Sequence, residues 1–481
     1  MLQPRDYHVL DKDLARLSDA EGAGHAVMRP LRRIGLALGL VLMIGLAGLI
    51  AGGDIGVQAP LITSLVVAIY LGLNIGANDV ANSAGPAIGA RAIGVLPGLA
   101  LVAAAQLAGA LLAGGAVTRT IAYDIVNFGP AGSAGPQSAR IMAAALIGAA
   151  LWVSLANWAR APVSTTHSVI GAVAGAGLAG LGIGAVHWTS IAGMAVSWMV
   201  APLISALIAA ALVAFLRRKI RFAPDPNAAA QLWLPMLIGA TTAIFAAYLL
   251  ILPTRPSAGP ATLLACAGLG LLAAGLSHWR IGRQIAGASG RVLSLKQLLV
   301  RPLIVTMILS GFAHGANDVA NIAGPLSVVL TGGAGAGTGF GVLSPQLTII
   351  VLAGTSIAAG SLIFGRRLVR LVGSSITRLN PSRAFCAALA AAATVLACSA
   401  LGLPVSTTHC AVGGIFGVGF YREWEDRRRR KARKTLPSEE VHRRRLVRRS
   451  HVWTTLAAWA VTLPGAAIMA VLGYSLLIII G

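Results

Sequence analysis

Long apolar segments recur along the chain and predict its architecture. Runs of about 20 residues with few charges occur throughout, for example 34–53, 190–216, 232–252 and 452–479. Each run is long enough to cross the hydrocarbon core of a bilayer as an α-helix. The 58 glycines favour closely packed membrane helices, whereas the strands of a barrel would show short alternating segments. The pattern therefore predicts an all-α, polytopic membrane protein of about a dozen helical segments.

Composition and charge narrow the class further. The chain is 56% hydrophobic and 11% charged, whereas soluble domains contain about 25% charged residues. A net charge of +23 could indicate nucleic acid, but the basic tracts 427–431 and 443–449 lie between two apolar segments, as in cytoplasmic loops of membrane proteins. We therefore expect a lipid bilayer and no nucleic acid as partner. The four cysteines lack CxxC spacing, so neither a metal site nor a disulfide framework is indicated.

The distribution of basic residues predicts the orientation. Loops near 217–221, 280–301, 366–383 and 422–449 are strongly basic, whereas the connections 52–59, 253–260 and 331–346 are nearly uncharged. Basic loops collect on the cytoplasmic side of a membrane. Residues 1–33 are polar and mixed in charge, which indicates a cytoplasmic N-terminal tail and not a cleavable signal. We expect a multi-pass protein of a plasma membrane with its N-terminus in the cytoplasm.

Two motifs each occur twice, in the same order. Gly-Ala-Asn-Asp-Val-Ala-Asn, the Asn-Asp motif, occupies 76–82 and 315–321, and Pro-Val-Ser-Thr-Thr-His, the Ser-Thr-Thr motif, occupies 162–167 and 404–409. A weaker echo pairs Gln106 and Gln346, each followed by Leu. Counting the spans between basic loops gives the two Asn-Asp segments opposite directions, which is the arrangement of inverted-repeat transporters.

The repeats and the basic loops predict a division of the chain, with broken helices or re-entrant hairpins around the motifs. The predicted parts are the tail 1–33, an extra first span within 34–59, repeat one at 60–216, a two-span linker at 217–301, and repeat two at 302–481 with its basic cytoplasmic loop 422–449.

The Asn-Asp motif has the chemistry of a cation site. Asp79 and Asp318 are the acids embedded in apolar segments, where an unpaired carboxylate costs roughly 3 kcal/mol or more. Asn78 and Asn82 lie one helical turn apart, and the Gly-Pro that follows predicts a broken helix with exposed carbonyls. Such oxygens suit Na⁺ or a proton-carrying carboxyl. An Asp that only joins neighbouring helices is the alternative, but the duplication favours a functional role. Repeat two supplies the equivalent Asn317, Asp318 and Asn321.

The Ser-Thr-Thr motif has the opposite preference. Proline followed by Ser-Thr-Thr before an apolar run predicts a helix N-terminus, where free N–H groups and hydroxyls can bind an anion. Ordinary capping is the alternative for one copy. We favour a packing role for His167 and His409 over direct substrate contact. The candidate anion-binding residues are Ser164, Thr165, Thr166, Ser406, Thr407 and Thr408.

Other classes of function fit less well. An enzyme using Ser164 or Ser406 with a histidine needs a base oriented by a third group, and no acid neighbours either motif in the sequence. A channel could use paired ion sites, but a cation cage beside an anion cradle indicates co-binding of opposite charges and therefore symport. We expect a transporter and no enzyme, with an ion channel as the lesser alternative.

Four motif matches in order make the chain resemble the inorganic phosphate transporter (PiT) family of cation-coupled symporters, over roughly 60–216 and 302–475. The resemblance implies two inverted repeats, phosphate as substrate with arsenate as competitor, Na⁺ or H⁺ as coupling ion and no cofactor. It also implies ion coupling by the Asn-Asp motifs and anion binding by the Ser-Thr-Thr motifs. Gln106 departs from the acid expected there in many relatives, so the coupling ion and stoichiometry stay open. With Gln346, His167 and His409 it is a candidate for the surrounding shell. Some similar proteins carry sulfate, so a sulfate permease is the alternative, and a homodimer stays open.

Overall fold

A computed structural model describes residues 58–129, 135–159, 163–251, 259–288, 291–333, 344–375, 380–430 and 449–480. Within these ranges the chain is helical apart from short connections and one isolated bridge between Val126 and Val186. Ten of the described helices are long and apolar enough to cross a membrane. The predicted all-α membrane class is confirmed. The predicted tail 1–33 and first span 34–53 lie outside the described residues.

The helices follow the order of the predicted repeats. The first half of the described chain contains α1 (Gln58–Gly89), α2 (Val95–Ala113), α3 (Gly115–Tyr123), α4 (Pro136–Ala159), α5 (Thr165–Leu181) and α6 (Trp188–Leu216). A π-helical turn (Arg217–Arg221) then leads to α7 (Pro226–Ile251), α8 (Pro260–Ala286) and α9 (Leu295–Leu298). The second half contains α10 (Val300–Asp318), α11 (Ala320–Gly333), α12 (Pro345–Ser375), α13 (Pro381–Ala400), α14 (Thr407–Arg430) and α15 (Arg449–Ile480).

Helix pairings exchange between the two halves, as a two-fold repeat requires. Helix α1 packs along α12, and its counterpart α10 packs along α2. Helix α5 packs on α15, whereas its counterpart α14 packs on α6. Likewise α4 contacts α15 and α13 contacts α6. In each case, when two helices of different halves pack together, their two counterparts also pack together.

The two Asn-Asp helices run in opposite directions. The end of α1 at Ala87 belongs to the same apolar cluster as Leu216 and Leu299, which immediately precedes α10. The start of α1 at Val67 belongs to a second cluster with Val329, near the end of α11. Helix α1 therefore ends where α10 begins. The inverted topology predicted from the basic loops is present in the fold.

Glycines set the register between the paired helices. A Cβ on Gly76 would overlap the backbone carbonyl of Ile357, and a Cβ on Gly315 would overlap that of Gln106. Because the two glycines are equivalent positions of the Asn-Asp motif, Gln106 of α2 corresponds to Ile357 of α12. Small residues of this kind let membrane helices approach backbone to backbone.

This register overturns the predicted echo between Gln106 and Gln346. The structural equivalents are 251 positions apart (357 − 106 = 251), whereas the sequence echo is 240 apart (346 − 106 = 240). A second pair of glycines repeats the larger spacing, since Gly109 lies against Phe312 of α10 and Gly360 lies against the equivalent position of α1. The cause is a longer connection between α11 and α12 than between α1 and α2. Gln346 is exposed near the start of α12.

The predicted helix break is absent from repeat one and slight in repeat two. Helix α1 continues through its Asn-Asp motif and contains Pro86. In the second half, α10 ends at Asp318 and α11 begins at Ala320, but Val319 between them keeps helical backbone angles, and its N–H still donates to the Gly315 carbonyl at 3.4 Å. The expectation of a break at both motifs was wrong for α1, since a proline this near a helix end disturbs few backbone hydrogen bonds.

All four basic loops meet on one side of the molecule. A single cavity is lined by Arg217 and Arg221 after α6, Lys296 of α9, Arg383 of α13 and Arg422 of α14. These residues come from the four segments in which the sequence concentrates its positive charge. Their common location agrees with the side assignment made from charge alone.

Candidate functional site

The two motifs of both repeats meet deep inside the helix bundle. Asp79 lies ten residues before the end of α1, or about 15 Å along the axis, which is half the thickness of a bilayer core. Residues 163–166 before and at the start of α5 form the first hairpin tip, and residues 404–408 before and at the start of α14 form the second; both reach this depth, because both contact the Asn-Asp motifs. Helices α4 and α5 share an apolar cluster with the start of α1, whereas α13 and α14 share one with its end, so the two tips approach the motifs from opposite sides.

Asp79 is held by the hairpin tip of the other repeat. Its Oδ1 accepts a hydrogen bond of 3.0 Å from the Thr408 hydroxyl. Asn82, one turn along α1, donates to the same Oδ1 at 3.4 Å and to Thr408 Oγ1 at 2.9 Å. The three side chains form a closed triangle that joins α1 to the start of α14. The i,i+3 spacing predicted from the sequence is what makes this triangle possible.

Asp318 is held within its own repeat. Its side chain is 1% exposed, and its Oδ1 accepts from Asn317 at 2.9 Å. The Thr407 hydroxyl donates to Oδ2 at 3.3 Å. Consecutive threonines of the second Ser-Thr-Thr motif therefore donate to both acids, Thr407 to Asp318 and Thr408 to Asp79.

Asn317 also fixes the backbone of the second hairpin tip. Its Nδ2 donates to the Val405 carbonyl at 2.7 Å, and the Val405 N–H donates to its Oδ1 at 3.3 Å. These two bonds satisfy both backbone groups of Val405, a buried residue that belongs to no helix. The equivalent Asn78 is half-buried and makes no side-chain hydrogen bond to the described residues. The two repeats therefore use the same amide differently.

The first hairpin tip is bound more loosely. The Thr166 hydroxyl donates to the Val405 carbonyl at 3.3 Å, and Asn321 donates to Thr166 at 3.5 Å. The buried Oδ1 of Asn321 has no hydrogen-bond partner among the described residues. The Thr165 hydroxyl likewise makes no hydrogen bond to the described chain. Oxygens without a hydrogen-bond partner in the described chain therefore lie on both the first tip and Asn321.

The serines of the two motifs cap their helices. Ser164 has extended backbone angles and accepts from the His167 N–H at 3.3 Å. Ser406 accepts from the His409 N–H at 3.4 Å. These are N-cap bonds, which satisfy a free backbone donor at each helix start. Both serine hydroxyls therefore act in the capping role that is the alternative for this motif.

The motif histidines pack against each other where the repeats meet. The rings of His167 and His409 lie edge to face with centroids 5.2 Å apart. Trp198 of α6 covers His167 at 3.9 Å between centroids and donates to the Pro404 carbonyl at 2.8 Å. Trp198 thereby connects the first tip to the second. These contacts favour the packing role for both histidines.

Gln106 lies beside the first Asn-Asp motif. Its Oε1 accepts from Ser361 of α12 at 2.7 Å, and the same hydroxyl reaches the Gly76 carbonyl at 3.0 Å. The Gln106 Nε2 is buried without a partner in the described chain. Gln346, by contrast, is exposed near the start of α12 and is not part of this group.

Sequence reasoning missed one polar pair between the two Asn-Asp helices. Ser83 of α1 and His314 of α10 form a short hydrogen bond, and both side chains are buried. His314 directly precedes the second motif and lies one turn before Asp318. Its position in an apolar segment next to the motif was the available signal. The pair has no internal equivalent, since Ile75 and Ile322 occupy the matching positions.

Comparison with known proteins decides the family. The profile of the phosphate transporter family matches residues 75–470. The chain belongs to the phosphate transporter family. It is 37% identical to a Helicobacter pylori (strain J99) protein assigned the name phosphate permease, over 88% of this chain and 80% of the relative. It is 31% identical to the chloroplastic inorganic phosphate transporter 2-1 of Arabidopsis thaliana, over 85% of this chain and 70% of the relative.

A solved structure confirms the fold of this family member. The sodium-dependent phosphate transporter matches 87% of this chain and 99% of its own length, with a TM-score of 0.76 and 28% identity. The inorganic phosphate transporter resemblance and the helical membrane fold are therefore confirmed. The family and the relatives are transporters and not enzymes.

Proposed function

We propose that this chain is a secondary active symporter that takes up inorganic phosphate together with Na⁺, with H⁺ as the alternative coupling ion. The observation that carries the proposal is the convergence of Asp79 and Asp318 on the second hairpin tip, through Thr408 and Thr407. Two acids and two helix N-termini at mid-depth provide for a cation and an anion in one place. Sodium dependence of the solved relative supports the choice of Na⁺.

The Asn-Asp motifs are the proposed coupling-ion sites. Na⁺ is a hard cation that binds oxygen ligands. Asp318 offers two carboxylate oxygens, and Asn321 adds a buried Oδ1 without a hydrogen-bond partner in the described chain. Asp79 and the half-buried Asn78 and Asn82 are the equivalents in repeat one. A cation at either acid would offset the cost of holding a carboxylate in the membrane.

The hairpin tips are the proposed phosphate site. Helices α5 and α14 begin there, and their backbone N–H groups and positive dipole ends favour an anion. Thr165 has a hydroxyl that makes no hydrogen bond to the described residues, whereas Thr407 and Thr408 donate to carboxylates. A cation on the acids competes for those carboxylate oxygens and releases the two hydroxyls toward the anion. This competition makes binding of the two ions cooperative.

Phosphate suits the site better than sulfate. Near pH 7 phosphate both donates and accepts hydrogen bonds, whereas sulfate only accepts them. A carboxylate close to the anion accepts a hydrogen bond from a phosphate O–H, whereas sulfate has no such donor and is repelled. The names of the relatives support the same choice. Arsenate, which shares this chemistry, is the expected competitor.

The location and the division of the chain extend this proposal. The side with the four basic loops is the cytoplasmic side of a cell membrane, which also places the N-terminus in the cytoplasm. Repeat one at 60–216 and repeat two at 302–481 form the transport pathway, joined by the linker 217–301. The exchange of helix partners between the halves supports this division.

Uptake into proteoliposomes tests the proposal. Labelled phosphate is supplied with a Na⁺ gradient and a pH gradient imposed separately, with arsenate or sulfate in excess. We expect saturable uptake driven by the Na⁺ gradient, strong inhibition by arsenate and weak inhibition by sulfate. Uptake driven by the pH gradient alone would assign H⁺ instead. Sulfate accumulation would replace the substrate, and ohmic single-channel currents would contradict a transporter.

A further inference from the structure

The cavity between the basic loops lies outside the transport site. Its volume is about 300 Å³, at the lower end of small-molecule pockets. It lies between the end of α6, the segment that contains α9, and the starts of α13 and the cytoplasmic part of α14. Its wall carries five cationic side chains: Arg217, Arg221, Lys296, Arg383 and Arg422.

Positive charges outnumber negative ones among the described residues around this cavity. The described wall of the cavity contains no Asp or Glu. Arg217 forms an ion pair of 2.8 Å with Glu425, but Arg383 is subject to the positive charges of Arg217, Arg221 and Arg422. Like charges gathered around a partly enclosed space repel each other more strongly than in water. An anion in the cavity would be attracted to each of these cations, and these attractions would offset the repulsion between them.

The geometry of the wall suits phosphoryl groups. Guanidinium groups bind phosphate oxygens through paired N–H donors, and four of the five cations are arginines. Helix α13 begins at the wall, with Asn380 as its cap and the Ser382 hydroxyl beside it. Arg217 and Arg221 begin and end the π-helical turn, and both lie on the same wall of the cavity. Such π-helical turns are frequent at functional sites.

We propose that this cavity is a second anion site, for a ligand that carries two or more phosphoryl groups. The ligand is either a soluble polyphosphorylated anion or the headgroup of a phospholipid with two phosphates. The site is separate from the transport site and joins the end of repeat one, the linker and repeat two. A bound anion would hold α6, α13 and α14 together on the cytoplasmic side.

Binding to the intact chain tests this site without any transport measurement. The protein is placed in nanodiscs of phosphatidylcholine and titrated with tripolyphosphate, or placed in nanodiscs that contain cardiolipin, and the midpoint of thermal unfolding is recorded. We expect a saturable rise in the midpoint in one of the two arms. Arg383→Gln and Arg422→Gln should each weaken binding about tenfold, because hydrogen bonds to a charged ligand are lost. Lys296→Gln, in a surface segment, tests the same wall if an arginine variant does not fold.

Arg218→Gln is the matched control. Arg218 belongs to the same π-helical turn, is exposed and does not line the cavity. It changes net charge equally and should leave binding unchanged within about twofold. Response to tripolyphosphate assigns a soluble ligand, and response to cardiolipin alone assigns a lipid. Equal weakening by Arg218→Gln, or no saturable response in either arm, would overturn the site.

Discussion

The two repeats contain the same motifs but use them in different contacts. In repeat two, Thr407 binds Asp318 and Asn317 clamps Val405, so the tip is tied to its own Asn-Asp helix. In repeat one, the Thr165 hydroxyl and the Asn78 amide make no hydrogen bonds to the described chain. Identical sequences therefore occupy one tight and one open arrangement around a common centre.

This difference indicates how an inverted repeat can transport. If the two tips exchanged arrangements, the first would bind its own acid and the second would open toward the opposite side. Such an exchange of roles is the usual geometric basis of alternating access. The asymmetry seen here is then one of two equivalent states of the tips. Variants at matched positions of the two repeats should distinguish contacts that change between these states from contacts that stay the same.

The largest effect is expected at the two acids. Asp79→Asn and Asp318→Asn should each abolish coupled phosphate uptake, because each removes a charge that balances the cation or the anion in both states. Uptake in proteoliposomes is the measurement, with folding checked by size-exclusion chromatography. Asp225→Asn, which changes the same charge at an exposed helix cap, is the control. Normal coupled uptake in either variant would refute the role of that acid, whatever the asymmetry between the tips.

The next effect is expected at the hairpin tips. Replacement of Ser164-Thr165-Thr166 or Ser406-Thr407-Thr408 by alanines should raise the KM for phosphate at least about tenfold, since each hydroxyl donor to a charged group contributes about 1.5–3 kcal/mol. Backbone N–H donors remain, so weak binding should persist. Similar increases for both tips would support exchange between equivalent states. Unchanged KM values in both variants would show that the motifs cap their helices and do not bind phosphate.

A smaller and equal effect is expected at the glycines that set the register. Gly76→Ala and Gly315→Ala should each lower the free energy of unfolding by about 1–3 kcal/mol, because the added Cβ overlaps a backbone carbonyl. Thermal unfolding in detergent is the measurement. Gly193→Ala, whose Cβ would meet open space, is the matched control and should not destabilise. A large difference between the stability losses of Gly76→Ala and Gly315→Ala would show that the α1–α12 and α2–α10 helix pairs are themselves not equivalent.

The smallest effect distinguishes the two asparagines. Asn317→Ala should lower the free energy of unfolding by about 1 kcal/mol or more, because the buried Val405 N–H loses its acceptor. Thr166 still donates to the Val405 carbonyl, which limits the loss. Asn78→Ala should change stability by less than about 0.5 kcal/mol. Equal destabilisation by the two substitutions would show that Asn78 has a structural partner in the dominant state.

Much of this arrangement was predictable from the sequence because it rests on composition and repetition. Long apolar runs predicted the helices, charge asymmetry predicted the common side of the basic loops, and duplication singled out Asp79 and Asp318. The candidate roles of the motif residues themselves stay predictions. The sequence therefore predicted features that are encoded locally, within one motif or one membrane span.

Features that depend on contacts between distant segments were not predictable. The equivalence of Gln106 and Gln346 was wrong, because loop length after α11 shifts the register and only helix contacts reveal it. Helix α1 is regular through its motif, whereas the helical hydrogen bond of Val319 is lengthened to 3.4 Å; because both motifs contain the same residues, this difference follows from their surroundings. The Ser83–His314 pair joins helices 231 positions apart, and no repeated signal marked it.

The close approach of α1 to α12 and of α2 to α10 has a mechanical consequence. Backbone meets backbone at Gly76 and Gly315, so neither helix of a pair can slide along the other without overlap. These four helices therefore form a stiff scaffold at the centre of the bundle. Spectroscopic labels placed across it would keep constant separations throughout a transport cycle. Opening and closing of the pathway then falls to the hairpins α4–α5 and α13–α14, which move against a fixed reference.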